Sequence, residues 1–408
     1  MRSDQTREPG AAGREGSPLE VLAAFLRLGL TSFGGPVAHL GYFRDELVVR
    51  RRWLDEAEYA DLVALCQFLP GPASSQVGFA LGLHRAGPLG ALAAWTGFTF
   101  PSAAAMFAFA YAAAAVSGPL GLALVHGLKL VAVAIVAQAV LGIARTLAPD
   151  ARRSAIAVAA TAMVLLAGGG LAQIGAILIG AAAGLALCRS GASPQAGALR
   201  FKISRRAATI SFVAFFGILL GGPALAAATG WRSLAVFDAF YRSGALVFGG
   251  GHVVLPLLQA RVVDPGWISS DTFLAGYGAA QAVPGPLFTF AAYLGAVLGP
   301  APNGLPGAMI AVAGVFLPGM LILVAVLPFW DALRQGPAVQ AALRGTNAAV
   351  VGILAAALYD PIWTSAIATP ADFAVALCGL VALVSWRAPP WSVVVGVVAL
   401  NLALTMMS

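Results

Sequence analysis

Apolar residues run through this chain in long blocks separated by short polar or basic stretches. The blocks span approximately 19–41, 62–83, 88–116, 119–147, 154–167 and 171–188. A lone block follows at about 207–228, then others at about 234–258, 273–298, 305–329, 338–359, 371–386 and 390–407. Residues 86–128 and 272–330 contain no Asp, Glu, Lys or Arg at all. A helical bilayer span needs roughly 20 apolar residues, so each charge-free run crosses at least once with room for a turn. No strand-length alternation of a membrane barrel is present. The pattern predicts an all-α polytopic membrane protein.

Composition agrees with that reading. Of 408 residues, 60% are hydrophobic and 10% are charged, against about 25% charged in a soluble domain. A soluble enzyme and a disordered chain are both excluded as classes. Cys66, Cys188 and Cys378 lie in apolar stretches without metal-ligand spacing and read as small core residues. Residues 1–18 are polar and Gly-rich and read as a disordered tail, without the layout of a signal peptide. The net charge of +7 sits wholly in the first half. It gathers at Arg44 with Arg50–Arg52, at Arg145 with Arg152 and Arg153, and at Arg189 to Arg206. Short basic loops of this kind stay cytoplasmic, a better account than nucleic acid, which is not expected as a partner.

An internal repeat sets the expected architecture. Phe33-Gly34-Gly35 recurs as Phe248-Gly249-Gly250, and Trp53 recurs as Trp267. Gln67 with Pro70-Gly71-Pro72 recurs as Gln281 with Pro284-Gly285-Pro286. Pro101 recurs as Pro318, and Leu128-Lys129 as Leu343-Arg344. The offset stays between 214 and 217 throughout. The expected domains are a first repeat over 19–189, a linker with an extra transmembrane helix over 190–232, and a second repeat over 233–408. The basic loop 42–61 has a non-basic counterpart at 259–272, so the two helical halves are expected as an inverted repeat with broken or re-entrant helices. The block 62–83 is expected to dip in and return, because its Pro pair breaks the helix ladder.

The candidate chemistry lies at those breaks. Gly34, Gly35, Pro70, Gly71, Pro72, Gly249, Gly250, Pro284, Gly285 and Pro286 free backbone groups that cannot face lipid. Free helix N-termini attract anions; close packing is the competing use of the same Gly and Pro residues. Arg27 and Arg242 are mates under the repeat, as are Lys129 and Arg344. All four are read as lacking an acid in their apolar segments, which leaves carbonyl ends or an anionic ligand as partners. A buried cation costs about 3 kcal/mol or more, and Arg forks suit oxyanions; snorkelling to the interface is the alternative. His39 and His252 follow the Gly-rich breaks as candidate donors or packing residues. Ser74, Ser75 and Thr289 follow the Pro-Gly-Pro breaks as candidate donors or caps. Glu58 and Asp61, in the amphipathic stretch 42–61, are weak candidates for carrying a proton. No zinc-protease helix, nucleophile elbow or Walker sequence occurs, so no enzyme activity, metal or cofactor is expected.

At these residues the chain resembles the chromate ion transporter family in its long two-domain form. The likeness rests on Phe33-Gly34-Gly35-Pro36 with His39, on Arg50-Arg51-Arg52-Trp53 leading into Leu69-Pro70-Gly71-Pro72, and on Phe248-Gly249-Gly250-Gly251-His252 leading into Val283-Pro284-Gly285-Pro286. It implies a multi-pass carrier in the bacterial inner membrane that exports chromate, with sulfate as the look-alike ion, and it leaves a homodimer open. A passive anion channel and a non-transporting membrane receptor or scaffold are the alternatives.

Overall fold

The computed structural model describes residues 16–115, 118–188, 201, 203–248, 251–299, 301–330 and 336–407. Among them the chain is helical, without a strand. Gly249, Gly250, most of the expected tail and most of 190–202 lie outside the described residues. The first half comprises α1 (Pro18–Thr31), α2 (Gly35–Phe43), α3 (Glu56–Phe68), α4 (Ala73–Ala115), α5 (Gly118–Leu147), α6 (Ala151–Ala167) and α7 (Gly169–Leu187). The lone helix α8 (Arg205–Thr229) follows. The second half comprises α9 (Arg232–Ala245), α10 (Val254–Val262), α11 (Ser270–Ala280), α12 (Phe290–Ala296) and α13 (Gly304–Val326). It closes with α14 (Pro337–Ala357), α15 (Pro370–Val384) and α16 (Pro390–Met407). Among the described residues, 7 helices are long and apolar enough to cross a membrane.

Side-chain caps start many of these helices. Ser17 accepts from the Glu20 N–H at α1, and Asp150 from the Arg153 N–H at α6. Ser204 and Ser269 do the same for α8 and α11. The block 62–83 is not one helix: α3 ends at Phe68, Pro70-Gly71-Pro72 turns the chain, and α4 restarts at Ala73. A second break at Ala86 and Gly87 precedes the long remainder of α4.

The two halves repeat at the level of packing. α1 crosses α4 where both carry glycine: a Cβ on Gly29 would meet the Phe98 carbonyl oxygen at 2.9 Å, and one on Gly97 would meet the Leu26 nitrogen at 2.8 Å. Their mates Gly244 and Gly314 make the same crossing between α9 and α13. Small residues bring backbones together in membranes, where dispersion and not water exclusion drives helix association.

The halves are also exchanged. α5 of the first half packs against α15 and α16 of the second, while α14 of the second packs against α6 and α7 of the first. Two hydrogen bonds repeat that exchange at the breaks. The Gly71 N–H donates to the Val247 carbonyl at 2.8 Å, and the Gly285 N–H donates to the Ser32 carbonyl at 2.9 Å. Each Pro-Gly-Pro motif thus serves the backbone just before the other half's Gly-rich break. Both glycines have positive φ, +121° and +95°. A Cβ there would lie 2.9 Å from the Gly319 Cα or 2.7 Å from the Ser102 Oγ.

The glycine crossing yields a contrast. Gly97→Val should cost ~1–3 kcal/mol by overpacking backbone that cannot retreat. Gly217→Val on α8, where a Cβ meets nothing within 4 Å, should leave the melting temperature of the detergent-purified protein unchanged.

Candidate functional site

The structure redistributes the candidates. Of the four cations expected to lack acids, two have one: Lys129 and Arg242. Lys129 on α5 is buried, and its ammonium donates to Asp271 in the first turn of α11 at 2.8 Å. Arg242 donates to Asp238, one turn back on α9, at 3.2 Å and to the Leu219 carbonyl on α8 at 3.0 Å. Arg344 donates to the Cys188 carbonyl at 3.0 Å, where α7 ends, and to Gln340 at 2.9 Å. A cation at a helix C-terminus is favourably placed against the macrodipole. Arg27 is exposed on α1 beside exposed Leu26 and Leu30, which is the geometry of a snorkelling side chain. Three of the four cations are therefore occupied by the protein itself.

Two weaker candidates change in the same way. Glu58 closes a capping box with Asp55: its Oε2 accepts from the Asp55 N–H at 3.0 Å while its own N–H donates to Asp55 at 2.8 Å. Its carboxylate holds the start of α3. The Thr289 hydroxyl donates to the Pro286 carbonyl at 2.8 Å, a local turn bond that uses its donor. Asp61 is buried and accepts from the Trp330 indole at 3.2 Å. In the stretch around α3, the Arg44 guanidinium grips Glu56 through two bonds of 3.0 and 2.7 Å. The hydrogen bond to Glu56 raises the Arg44 pKa further above its ordinary value.

His39 is buried with its Nδ1 3.3 Å from the Ser74 hydroxyl, edge-on to Phe98. The Ser75 hydroxyl is buried without a hydrogen-bond partner among the described residues. Pro70, Gly71, Pro72, Pro284, Gly285 and Pro286 clamp the two halves as described above. The Gln76 amide reinforces the first clamp, donating to the Pro70 and Gly319 carbonyls at 2.9 Å each.

A cavity of about 250 Å³ lies where the two halves meet. Gly34 and Gly35 contribute the start of α2, and Ile135 and Gln138 the middle of α5. His252 and Gln281 line it from the second half, with Leu383, Arg387, Ala388 and Pro390 at the corner between α15 and α16. A single water needs only about 10–15 Å³ of such space, so the cavity has room for a small polyatomic ion with water around it. Gly34 and Gly35 have φ of +99° and +79°, and a Cβ on Gly35 would meet nothing within 4 Å. Gly35 is thus demanded by its backbone conformation and not by crowding. His252 holds Tyr277 through Nδ1 at 2.6 Å, and the Gln281 Nε2 is buried without a partner among the described residues.

Of the sequence candidates, the structure brings Gly34, Gly35 and His252 together at this cavity. Gln138 and Arg387 were not among them. A lone Gln in the apolar block 119–147 was the available signal for the first. Arg387 stands just past a block end, where it reads as an interfacial anchor. Gln281 was visible as a repeat anchor only.

The Lys129–Asp271 pair gives an asymmetric test. The Lys129 side chain is 10% exposed and that of Asp271 is 62% exposed. Asp271→Asn leaves a buried ammonium unpaired and should cost ~1–3 kcal/mol. Lys129→Gln frees an acid that water already reaches and should cost under about 1 kcal/mol. Thermal unfolding of the two variants should rank them in that order.

A family model described as chromate transporter matches residues 19–185 and 234–402, once in each half. A chromate transport protein of Pseudomonas aeruginosa is 29% identical over 394 residues, covering 94% of this chain and 91% of that one. A probable chromate transport protein of Synechococcus elongatus is 28% identical over 371 residues, covering 89% and 88%. A chromate transport protein of Cupriavidus metallidurans is 27% identical over 343 residues, covering 83% and 81%. No solved structure matches the chain.

Proposed function

The chain belongs to the chromate transporter family, and from that membership we propose that it exports chromate across the bacterial inner membrane, with sulfate as a competing ion. The observation that carries the reading is the family match in both halves, joined to a polar cavity at the seam between them. The oxyanion sits in that cavity, at the start of α2 and against His252 and Gln281. An α-helix N-terminus supplies free N–H groups and the positive end of the dipole. A negative cytoplasm drives a dianion outward by roughly 2.3 kcal/mol per charge per 100 mV, so export needs no further energy source. The two halves are inverted relative to each other, with the pseudo-two-fold axis in the membrane plane. The reciprocal bonds from Gly71 to Val247 and from Gly285 to Ser32 support a two-fold relation.

Inverted vesicles carrying the protein should accumulate labelled chromate in a saturable way and show counterflow. Linear, non-saturating flux would point to a channel instead. Gly35→Ala should lower chromate flux at least tenfold at unchanged protein level, since it strains the left-handed start of α2 at the cavity; flux within twofold of the parent would remove α2 from the path. Tags placed in 42–61 and in 259–272 should label from opposite sides of the membrane, and labelling from one side only would refute inversion.

A further inference from the structure

Among the described residues lining the cavity there is no carboxylate, and Arg387 is the formal cation. Its surroundings set it apart from Lys129, Arg242 and Arg344. Those three donate to carboxylates, carbonyls or an amide of the protein. The exposed Arg387 side chain has no hydrogen bond or ion pair among the described residues.

Its backbone is unusual too. The Ser385 N–H closes α15 on the Val381 carbonyl at 2.8 Å, and the Ala388 N–H reaches back to the Ala382 carbonyl at 3.0 Å. Between them Arg387 takes φ of +53°, the left-handed region. Positive φ usually falls to glycine or asparagine, because a Cβ is costly there. A bulky, long side chain at such a position is disfavoured locally and persists when it serves something else.

We propose that Arg387 is the specificity-determining cation of the transport site, gripping the tetrahedral dianion at the cavity with its guanidinium. This rests on the reading that the chain carries chromate or a like oxyanion. The fork of Arg387 supplies two parallel charge-assisted donors. The Gln281 Nε2, buried and without a partner among the described residues, and the Gln138 amide add neutral donors. The start of α2 adds the positive end of a helix dipole from the opposite half. The site thus takes its charge from one half and its helix terminus from the other, so an ion bound there bridges both.

The test uses the full-length protein. Binding of chromate and of sulfate is measured on purified protein by thermal shift and by labelled-ion equilibrium, with flux in proteoliposomes alongside. Arg387→Gln should weaken apparent affinity by about 10-fold or more, the equivalent of one lost charge-assisted bond. Arg387→Lys should recover part of the loss, since it keeps the charge without the fork. Arg387→Gly should lose affinity like Gln yet melt no lower than the parent without ion, because glycine suits the turn. A Gln variant that binds both ions within twofold of the parent overturns the assignment, as does a Gly variant that melts below the parent. A parent that binds neither ion overturns the transport reading and this assignment together; a parent that binds, with a Gln variant that binds equally well, removes Arg387 alone.

Discussion

Backbone N–H and C=O groups released from a helix inside a bilayer have no water to turn to, and each one left alone costs several kcal/mol. This chain breaks its helices at the Gly-rich and Pro-Gly-Pro motifs and answers the cost across the repeat. The Gly71 N–H is satisfied by Val247 and the Gly285 N–H by Ser32. Both bonds need glycine at positive φ and a close neighbour in the other half, Gly319 or Ser102. The breaks in one half are therefore affordable only in the presence of the other.

The exchange of α5 and α14 extends that dependence to the whole molecule. Each of these helices packs on the terminal helix pair of the opposite half. The seam so formed carries the 250 Å³ cavity, with α5 on one wall and the α15–α16 corner on another. Cations elsewhere in the molecule act as fasteners. Arg344 closes α7, Arg242 ties α9 to α8, and Lys129 joins α5 to α11. Arg387, which has no such bond among the described residues, lines the seam.

The sequence makes the repeat, the helical class and the broken-helix motifs legible, because those features are demanded locally. A Pro-Gly-Pro or a left-handed Gly-Gly breaks a helix whatever lies around it. Helix α1 and its mate α9 begin and end 214 residues apart, as the motif offsets require. Partnership between distant side chains is not local, and there the reading failed. Asp271 stands just outside the apolar block 273–298, so its bond to Lys129 crosses 142 residues of sequence. Asp238 is different: it sits four residues before Arg242 within its own block, at helical spacing, and was readable there. Arg387 was invisible as a site residue because its position is set by the packing of α15 and α16 on α5, which no motif records.

The two reciprocal bonds are equal in space but not in time. When Gly285 leaves the ribosome, its acceptor Ser32 has long been in place. Val247 follows Gly71 by 176 residues, and at a synthesis rate of about 5–20 residues per second that is a wait of roughly 9–35 s. Through that interval the Gly71 N–H is without the Val247 carbonyl that accepts it in the complete chain. The later half completes a structure that the earlier one can only hold open, so the order of translation makes one half the template and the other the closure.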